Sequence, residues 1–172
     1  LEQKKYRQET GQFFIEGLRT VGEAIQTGAP IESLVIAPDL LVSDFGQSLL
    51  AHPNAANVDR VEVSSEIYEK IAHKEGPQGI GAVVQKNWQS LENTPIRPDD
   101  FWIALDAISD PGNLGTILRT ADAVGCRGVI LLGHATDPYD PTAVKASMGA
   151  IFSLILIQSE WAAFAAWKQD RV

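Results

Sequence analysis

Short apolar runs alternate along this chain with stretches in which apolar residues return at helical spacing, and that alternation limits the fold more than any other feature. Residues 34–37 (Leu-Val-Ile-Ala), 101–106 (Phe-Trp-Ile-Ala-Leu-Asp) and 129–132 (Val-Ile-Leu-Leu) read as strands buried on both faces. Residues 12–16, 60–63, 80–84 and 151–157 read as further strands. Between them lie helical stretches. In residues 18–27, Leu18, Val21, Ala24 and Ile25 share a stripe that Gly28 stops; in residues 40–51, Leu41, Phe45, Leu49 and Leu50 do the same; residues 66–72 follow a cap at Ser64 or Ser65. Strands separated by helices imply right-handed parallel crossovers, hence an α/β fold with helices on both faces of a small sheet.

Residues 87–100 interrupt the alternation with Asn87, Gln89, Ser90, Asn93, Pro95 and Pro98 and no apolar period, and read as a linker. The pattern then restarts. A helix over 114–124 has Asn113 as its cap and Gly125 as its stop. Asp140 and Pro141 open a second over 142–148, and Ser159 caps a last one with Trp161, Phe164, Ala165 and Lys168 on a face. This half offers three strands, too few to cover a parallel sheet. The expected organisation is a whole domain over 1–86, a linker over 87–100 and an incomplete second domain over 101–172.

Composition removes several classes of function. Of 172 residues, 45% are hydrophobic and 21% charged, the usage of a chain with a packed core. No apolar run nears the roughly 20 residues that span a bilayer, and Leu1-Glu2-Gln3-Lys4-Lys5 is no signal segment, so a soluble cytoplasmic protein is expected. Cys126 stands alone and His52, His73 and His134 are scattered, which argues against disulfides and metal centres. The net charge is −8, and each half carries −4 when divided after Lys86. Neither half is a basic module, so any RNA recognition must rest on a few placed cations and on shape.

The stretch richest in chemistry runs from Asp110 to Ala121 (Asp-Pro-Gly-Asn-Leu-Gly-Thr-Ile-Leu-Arg-Thr-Ala), just past the carboxyl end of a buried strand, where open α/β sheets bind ligands. Gly112 permits a turn with positive φ, Asn113 offers an amide at a helix start, and Gly115 lets a backbone or a ligand approach. Arg119 lies one helical turn beyond Gly115, and its guanidinium suits a phosphate. Two readings stay open on spacing alone: an anion site, or a capped helix with a packing glycine and a surface arginine.

The string Asn113-x-Gly115-x-x-x-Arg119, with Asp110-Pro111 before it and Thr120-Ala121 and Gly125 after it, resembles the first motif of the SpoU/TrmH family of RNA ribose 2′-O-methyltransferases, in the SPOUT superfamily. The segments Asp137-Pro138-Tyr139-Asp140-Pro141 and Lys145-Ala146-Ser147-Met148-Gly149-Ala150-Ile151-Phe152 resemble the family's sequence downstream of that motif. Phe13-Phe14-Ile15-Glu16-Gly17-Leu18 and Pro77-Gln78-Gly79-Ile80 are similar to the ribosomal-protein-like substrate-binding domain that many members carry upstream. The resemblance implies a three-layer α/β/α domain followed by the first part of a Rossmann-like, trefoil-knotted SPOUT domain. It also implies methyl transfer from S-adenosylmethionine to a ribose 2′-hydroxyl of structured RNA, ribosomal RNA in preference to transfer RNA, by a homodimer. Arg119 then activates the hydroxyl or holds the phosphate that does, with Asn113 in support.

The family continues into a glycine- and glutamate-containing motif and a Ser-Leu-Asn motif that form the cofactor pocket; neither occurs before Val172. The expectation is that the chain ends inside its second domain, with the cofactor residues beyond Val172 and the methyl-donor pocket incomplete. Lys4, Lys5, Arg7 and Lys74 are further candidates for RNA phosphates, with His73 beside Lys74. Trp161 and Trp167 read as stacking platforms or as packing, and Cys126 as packing. The rival to the enzyme is a non-catalytic RNA-binding module with a degenerate second domain. A nucleotide-binding protein is disfavoured, since neither G-x-G-x-x-G nor G-x-x-x-x-G-K-[ST] occurs.

Overall fold

A computed structural model describes residues 1–72 and 76–169. The chain forms two compact units, Leu1–Lys86 and Asn87–Val172.

The first unit opens with a helix, α1 (Lys4–Thr10), that lacks any apolar period and ends on Gly11 at φ 70°. Lys4 and Lys5 are exposed, Lys5 standing 3.9 Å from Glu9 one turn on. Arg7, a candidate for RNA phosphates by sequence, is not on the surface. It is 1% exposed, and its guanidinium donates to the carbonyls of Leu1, at 3.2 Å, and Glu2. Turned inward, its guanidinium is engaged with backbone carbonyls and does not stand on the surface with Lys4 and Lys5.

Strands β1 (Gln12–Glu16), β2 (Ile31–Ile36), β3 (Asp59–Glu62) and β4 (Ile80–Gln85) form a sheet in the order β1-β4-β2-β3. The expected parallel crossovers join β1 to β2 and β2 to β3, but β4 enters between β1 and β2 antiparallel to both, so only β2 and β3 pair directly as parallel neighbours. A strand buried on both faces carries no period that records its direction. Just before β4, Gly79 takes φ +72° in a space where a Cβ would meet Leu41 N at 2.6 Å and Ala37 O at 2.7 Å. Alternation along the strands gives two faces. Phe13, Ile15, Ala82 and Val84 lie under α2 (Leu18–Gln26), which buries Val21, Ala24 and Ile25. On the other face Val35 and Ala37 pack with Tyr68 of α4 (Ser65–Ile71), and Phe14 joins them. The helix expected over 40–51 shortens to α3 (Asp44–Leu50), capped by Ser43, whose Oγ accepts from Gly46 N at 3.0 Å; Leu41 precedes it, buried in a turn. This is a three-layer α/β/α unit.

The second unit holds β5 (Trp88–Gln89), β6 (Trp102–Asp106), α5 (Pro111–Ala123), β7 (Gly128–Leu132), α6 (Pro141–Ser147), β8 (Ile155–Ser159) and α7 (Trp161–Gln169). Its sheet runs β5-β8-β7-β6 with every pair parallel. The expected linker is part of this unit. Trp88 and Gln89 pair with Leu156 and Ile157, Leu91 is buried, and the Leu91 carbonyl accepts the Trp167 indole N–H at 2.9 Å. Two paired residues are too few to leave a period in sequence, yet they supply the fourth strand. The strand expected over 151–157 begins only at Ile155, since Ala150–Phe152 form a 3₁₀ turn. Ser159 does not cap the last helix as expected: its hydroxyl donates to Glu160 O at 3.2 Å, and Glu160 O takes the Phe164 N–H at 3.0 Å. Ile130, Leu132, Ile157, Leu91 and Trp167 fill one face, where full burial of such side chains contributes about 1.5–3 kcal/mol each. By strand alternation Val129, Leu131 and Leu156 face the other way, toward α5 and α6.

Candidate functional site

At the carboxyl edge of the second sheet the loops after β6, β7 and β8 are tied together by their backbones. Ala107 N–H donates to Leu132 O at 3.2 Å, Gly133 N–H to Ser159 O at 3.3 Å, and Thr136 N–H to Ile108 O at 2.7 Å. Ala107 sits at φ 51°, a left-handed conformation that costs a non-glycine residue about 1–2 kcal/mol. Strain of that kind, held by the surrounding loops, marks the turn that aims the chain into α5.

Helix α5 starts differently from the expectation. Asp110, not Asn113, is the cap: its Oδ1 accepts the Asn113 N–H at 2.6 Å, and Pro111 takes the first helical position. Asn113 therefore sits in the first turn with its side chain exposed and released from capping. Gly112 is helical and needs no positive φ. Gly115 is a packing glycine, since a Cβ there would lie 2.3 Å from Ala143 O, 2.6 Å from Ala146 Cβ and 3.0 Å from Ser147 N. The two sequence segments singled out thus meet along the α5–α6 contact.

Arg119 is exposed two turns along α5 and, among the described residues, has no ion pair or side-chain hydrogen bond. Thr116 and Thr120 flank it with their hydroxyl protons engaged, donating to Gly112 O at 2.9 Å and Thr116 O at 3.0 Å. The guanidinium is left with its donors free among the described residues. Side chains on a helix lean toward its N-terminus, so Arg119 reaches back over Gly115 and Thr116, toward the start of α5.

Helix α6 is set by Asp140, whose Oδ1 accepts from Thr142 N at 3.0 Å, and it ends on Met148 and Gly149, at φ 55° and 101°. Tyr139 before it is a buried anchor that sequence reasoning did not single out. Its hydroxyl accepts the Asn87 N–H at 3.0 Å, and its ring meets Trp88 edge-on at 5.4 Å. Burial raises its pKa well above the ordinary phenol value; the Asn87 bond opposes that shift and Asp137 adds to it.

Among the remaining candidates, Lys4 and Lys5 stand exposed on the first unit, while His73 and Lys74 lie outside the described residues. Trp161 is 53% exposed at the start of α7, in edge contact with Phe164 at 5.8 Å. Trp167 is core and offers no stacking platform. Cys126 is buried, its thiol 3.2 Å from both Phe101 O and Gly128 O, as a packing residue would be.

Both units have counterparts among known proteins. Residues 1–82 match the MRM3-like substrate binding domain and residues 100–171 the SpoU rRNA Methylase family. The chain is 32% identical over 155 residues to a 23S rRNA (uridine(2479)-2′-O)-methyltransferase of Streptomyces viridochromogenes, covering 90% of this chain and 53% of that one. A 23S rRNA (guanosine(2553)-2′-O)-methyltransferase of Bacillus subtilis is 28% identical over 158 residues, covering 92% and 58%. The chain thus spans about half the length of these curated relatives. Among solved structures, an AdoMet-bound rRNA methyltransferase from Sinorhizobium meliloti superposes with a TM-score of 0.84 at 33% identity, covering 98% of this chain and 62% of that one. The chain thus joins an MRM3-like substrate binding domain to a domain of the SpoU rRNA methylase family.

Proposed function

We propose that this protein transfers a methyl group from S-adenosylmethionine to a ribose 2′-hydroxyl of ribosomal RNA, residues 1–86 recognising structured RNA and residues 101–172 contributing to the catalytic domain. The observation that carries the reading is Arg119: a cation held exposed and unpaired among the described residues, on the helix that follows the strained loop after β6, in a chain of net charge −8. The activities of the Streptomyces and Bacillus relatives support ribosomal RNA as the substrate in preference to transfer RNA. A cytoplasmic location and a homodimeric enzyme belong to the same proposal; the bacterial relatives support the first and the family resemblance the second. No helix of the described residues is long and apolar enough to cross a membrane.

A ribose 2′-hydroxyl is a weak nucleophile until its proton departs. A guanidinium carries only donors and no acceptor, so the task of Arg119 is to hold an anion and not to take the proton. It grips the phosphate beside the target ribose through paired, charge-assisted hydrogen bonds, and that phosphate can receive the proton. Asn113, freed from capping, offers an amide donor and acceptor to the same ribose. S-adenosylmethionine supplies the methyl group when bound. The described residues at this edge form an open surface on which Asp106, Asn113 and His134 are all exposed, and by themselves they do not enclose that donor.

The test is incubation with methyl-labelled S-adenosylmethionine and unmodified 23S rRNA transcript, followed by alkaline hydrolysis. A 2′-O-methyl group protects its neighbouring phosphodiester, so label is expected in an alkali-stable dinucleotide. Label in mononucleotides would place the methyl on a base and overturn the reading. RNA binding without any transfer would select the non-catalytic module.

A further inference from the structure

Lys145 of α6 is exposed and, like Arg119, has no ion pair or side-chain hydrogen bond among the described residues. Its position relative to Arg119 is fixed by the contact between the two helices. Gly112 lies against Thr142, with a Cβ there 3.8 Å from Thr142 Cγ2, and Gly115 lies against Ala143, Ala146 and Ser147. Successive turns of α5 therefore meet successive turns of α6 in order, and the helices run side by side in one direction. At about 100° per residue, Arg119 projects about 40° round α5 from Gly115, on the side of exposed Thr116 and away from buried Leu118 and Ala121. By the same rule Lys145 projects about 60° round α6 from Thr142, on the side opposite buried Ala143 and Ser147. Both cations emerge on the solvent side of the seam. Arg119 leans back toward the level of Gly115, which is the level of residues 143–147 on α6.

We propose that Arg119 and Lys145 straddle the α5–α6 seam as a two-cation clamp on the RNA backbone, with Arg119 on the phosphate beside the target ribose and Lys145, a positioning residue, on the adjacent one. The inference rests on the functional reading above and adds a residue to it. A lysine suits the second place, since it acts as a mobile point charge where no fixed fork is needed. In a chain with −8 overall, two phosphates held by placed cations are a sufficient substitute for a basic surface.

The experiment measures binding of unmodified 23S rRNA transcript to the protein over a series of salt concentrations, together with methyl-transfer kinetics, for Lys145→Ala and Lys145→Arg. Loss of one phosphate contact lowers the slope of log affinity against log salt by about 0.7 to 0.9. Lys145→Ala is expected to show that drop, to bind about tenfold more weakly and to raise KM with little change in kcat; Lys145→Arg restores all three. If Lys145→Ala keeps the wild-type slope and affinity while Arg119→Ala abolishes transfer, the clamp is wrong and the functional reading stands. If the unsubstituted protein neither binds nor methylates the transcript, the functional reading falls and takes the clamp with it.

Discussion

The carbonyl oxygen of Ala143 occupies the space in which a side chain at Gly115 would begin, 2.3 Å from where the Cβ would lie. Helices α5 and α6 are in backbone contact there, and backbone cannot rotate out of the way. Gly115→Ala gains about 1 kcal/mol of helix propensity, but the overpacking exceeds it, for a net loss of about 2 kcal/mol. Urea unfolding should give a lower midpoint at an unchanged m-value. A midpoint at or above wild type would show that the helices separate freely and would remove the packing role.

Asp110 and Asn113 divide two tasks that their spacing had merged. Asp110→Ala removes the bond to Asn113 N and should cost about 1 kcal/mol of stability. Asn113→Ala touches no cap and should leave the unfolding midpoint within about 0.5 kcal/mol of wild type, while methyl transfer falls at least about tenfold. Thermal unfolding and transfer rates measured on both variants test the division, and the reverse pattern would refute it.

Arg119 should be the most sensitive position on α5. Arg119→Ala is expected to lower kcat for methyl transfer about a hundredfold, the scale of losing a donor aimed at developing charge, with the fold intact because the side chain is exposed. Arg119→Lys should recover only part of that, since an ammonium lacks the guanidinium fork. Full activity in the lysine variant would replace paired recognition by simple charge, and full activity in the alanine variant would end the role.

Two buried phenols separate burial from bonding. Tyr139 bonds Asn87, whereas the Tyr68 hydroxyl has no hydrogen-bond partner among the described residues. Tyr139→Phe should cost about 1 kcal/mol at neutral pH, and Tyr68→Phe should cost nothing or stabilise. Burial raises both pKa values above the ordinary 10.0, helped by Glu16 at Tyr68. The folded chain then keeps protons that the unfolded chain has released, so stability is full below about pH 10 and declines as pH rises further. Urea midpoints at neutral and strongly alkaline pH should decline less in either phenylalanine variant than in wild type.

The strand at residues 129–132 was legible because burial on both faces leaves an unmistakable composition, whereas residues 101–106, read in the same way, hold the half-exposed edge strand β6. What stayed hidden had no period to read. Helix α1 ends on Gly11 and turns Arg7 inward, β5 is two residues long, and a strand's period does not record that β4 runs antiparallel to its neighbours. In the site, sequence located the helix and its exposed arginine. It assigned the cap three residues late, because Asp110 and Asn113 are both good capping types and only the geometry chooses between them.

The strand pairings also set a timetable for synthesis. Gln12 opposes Gln85 in the first sheet, and Trp88 opposes Leu156 in the second. Each opening strand must wait for a partner roughly 70 residues downstream, which at about 5–20 residues per second is about 4–14 seconds of translation. During that interval Phe13 and Ile15 lack the β4 residues that cover them in the finished sheet. The nascent chain is therefore most exposed to misassociation just before each half is complete, and substitutions that slow the arrival of β4 or β8 should lower yield more than they lower the stability of the finished protein.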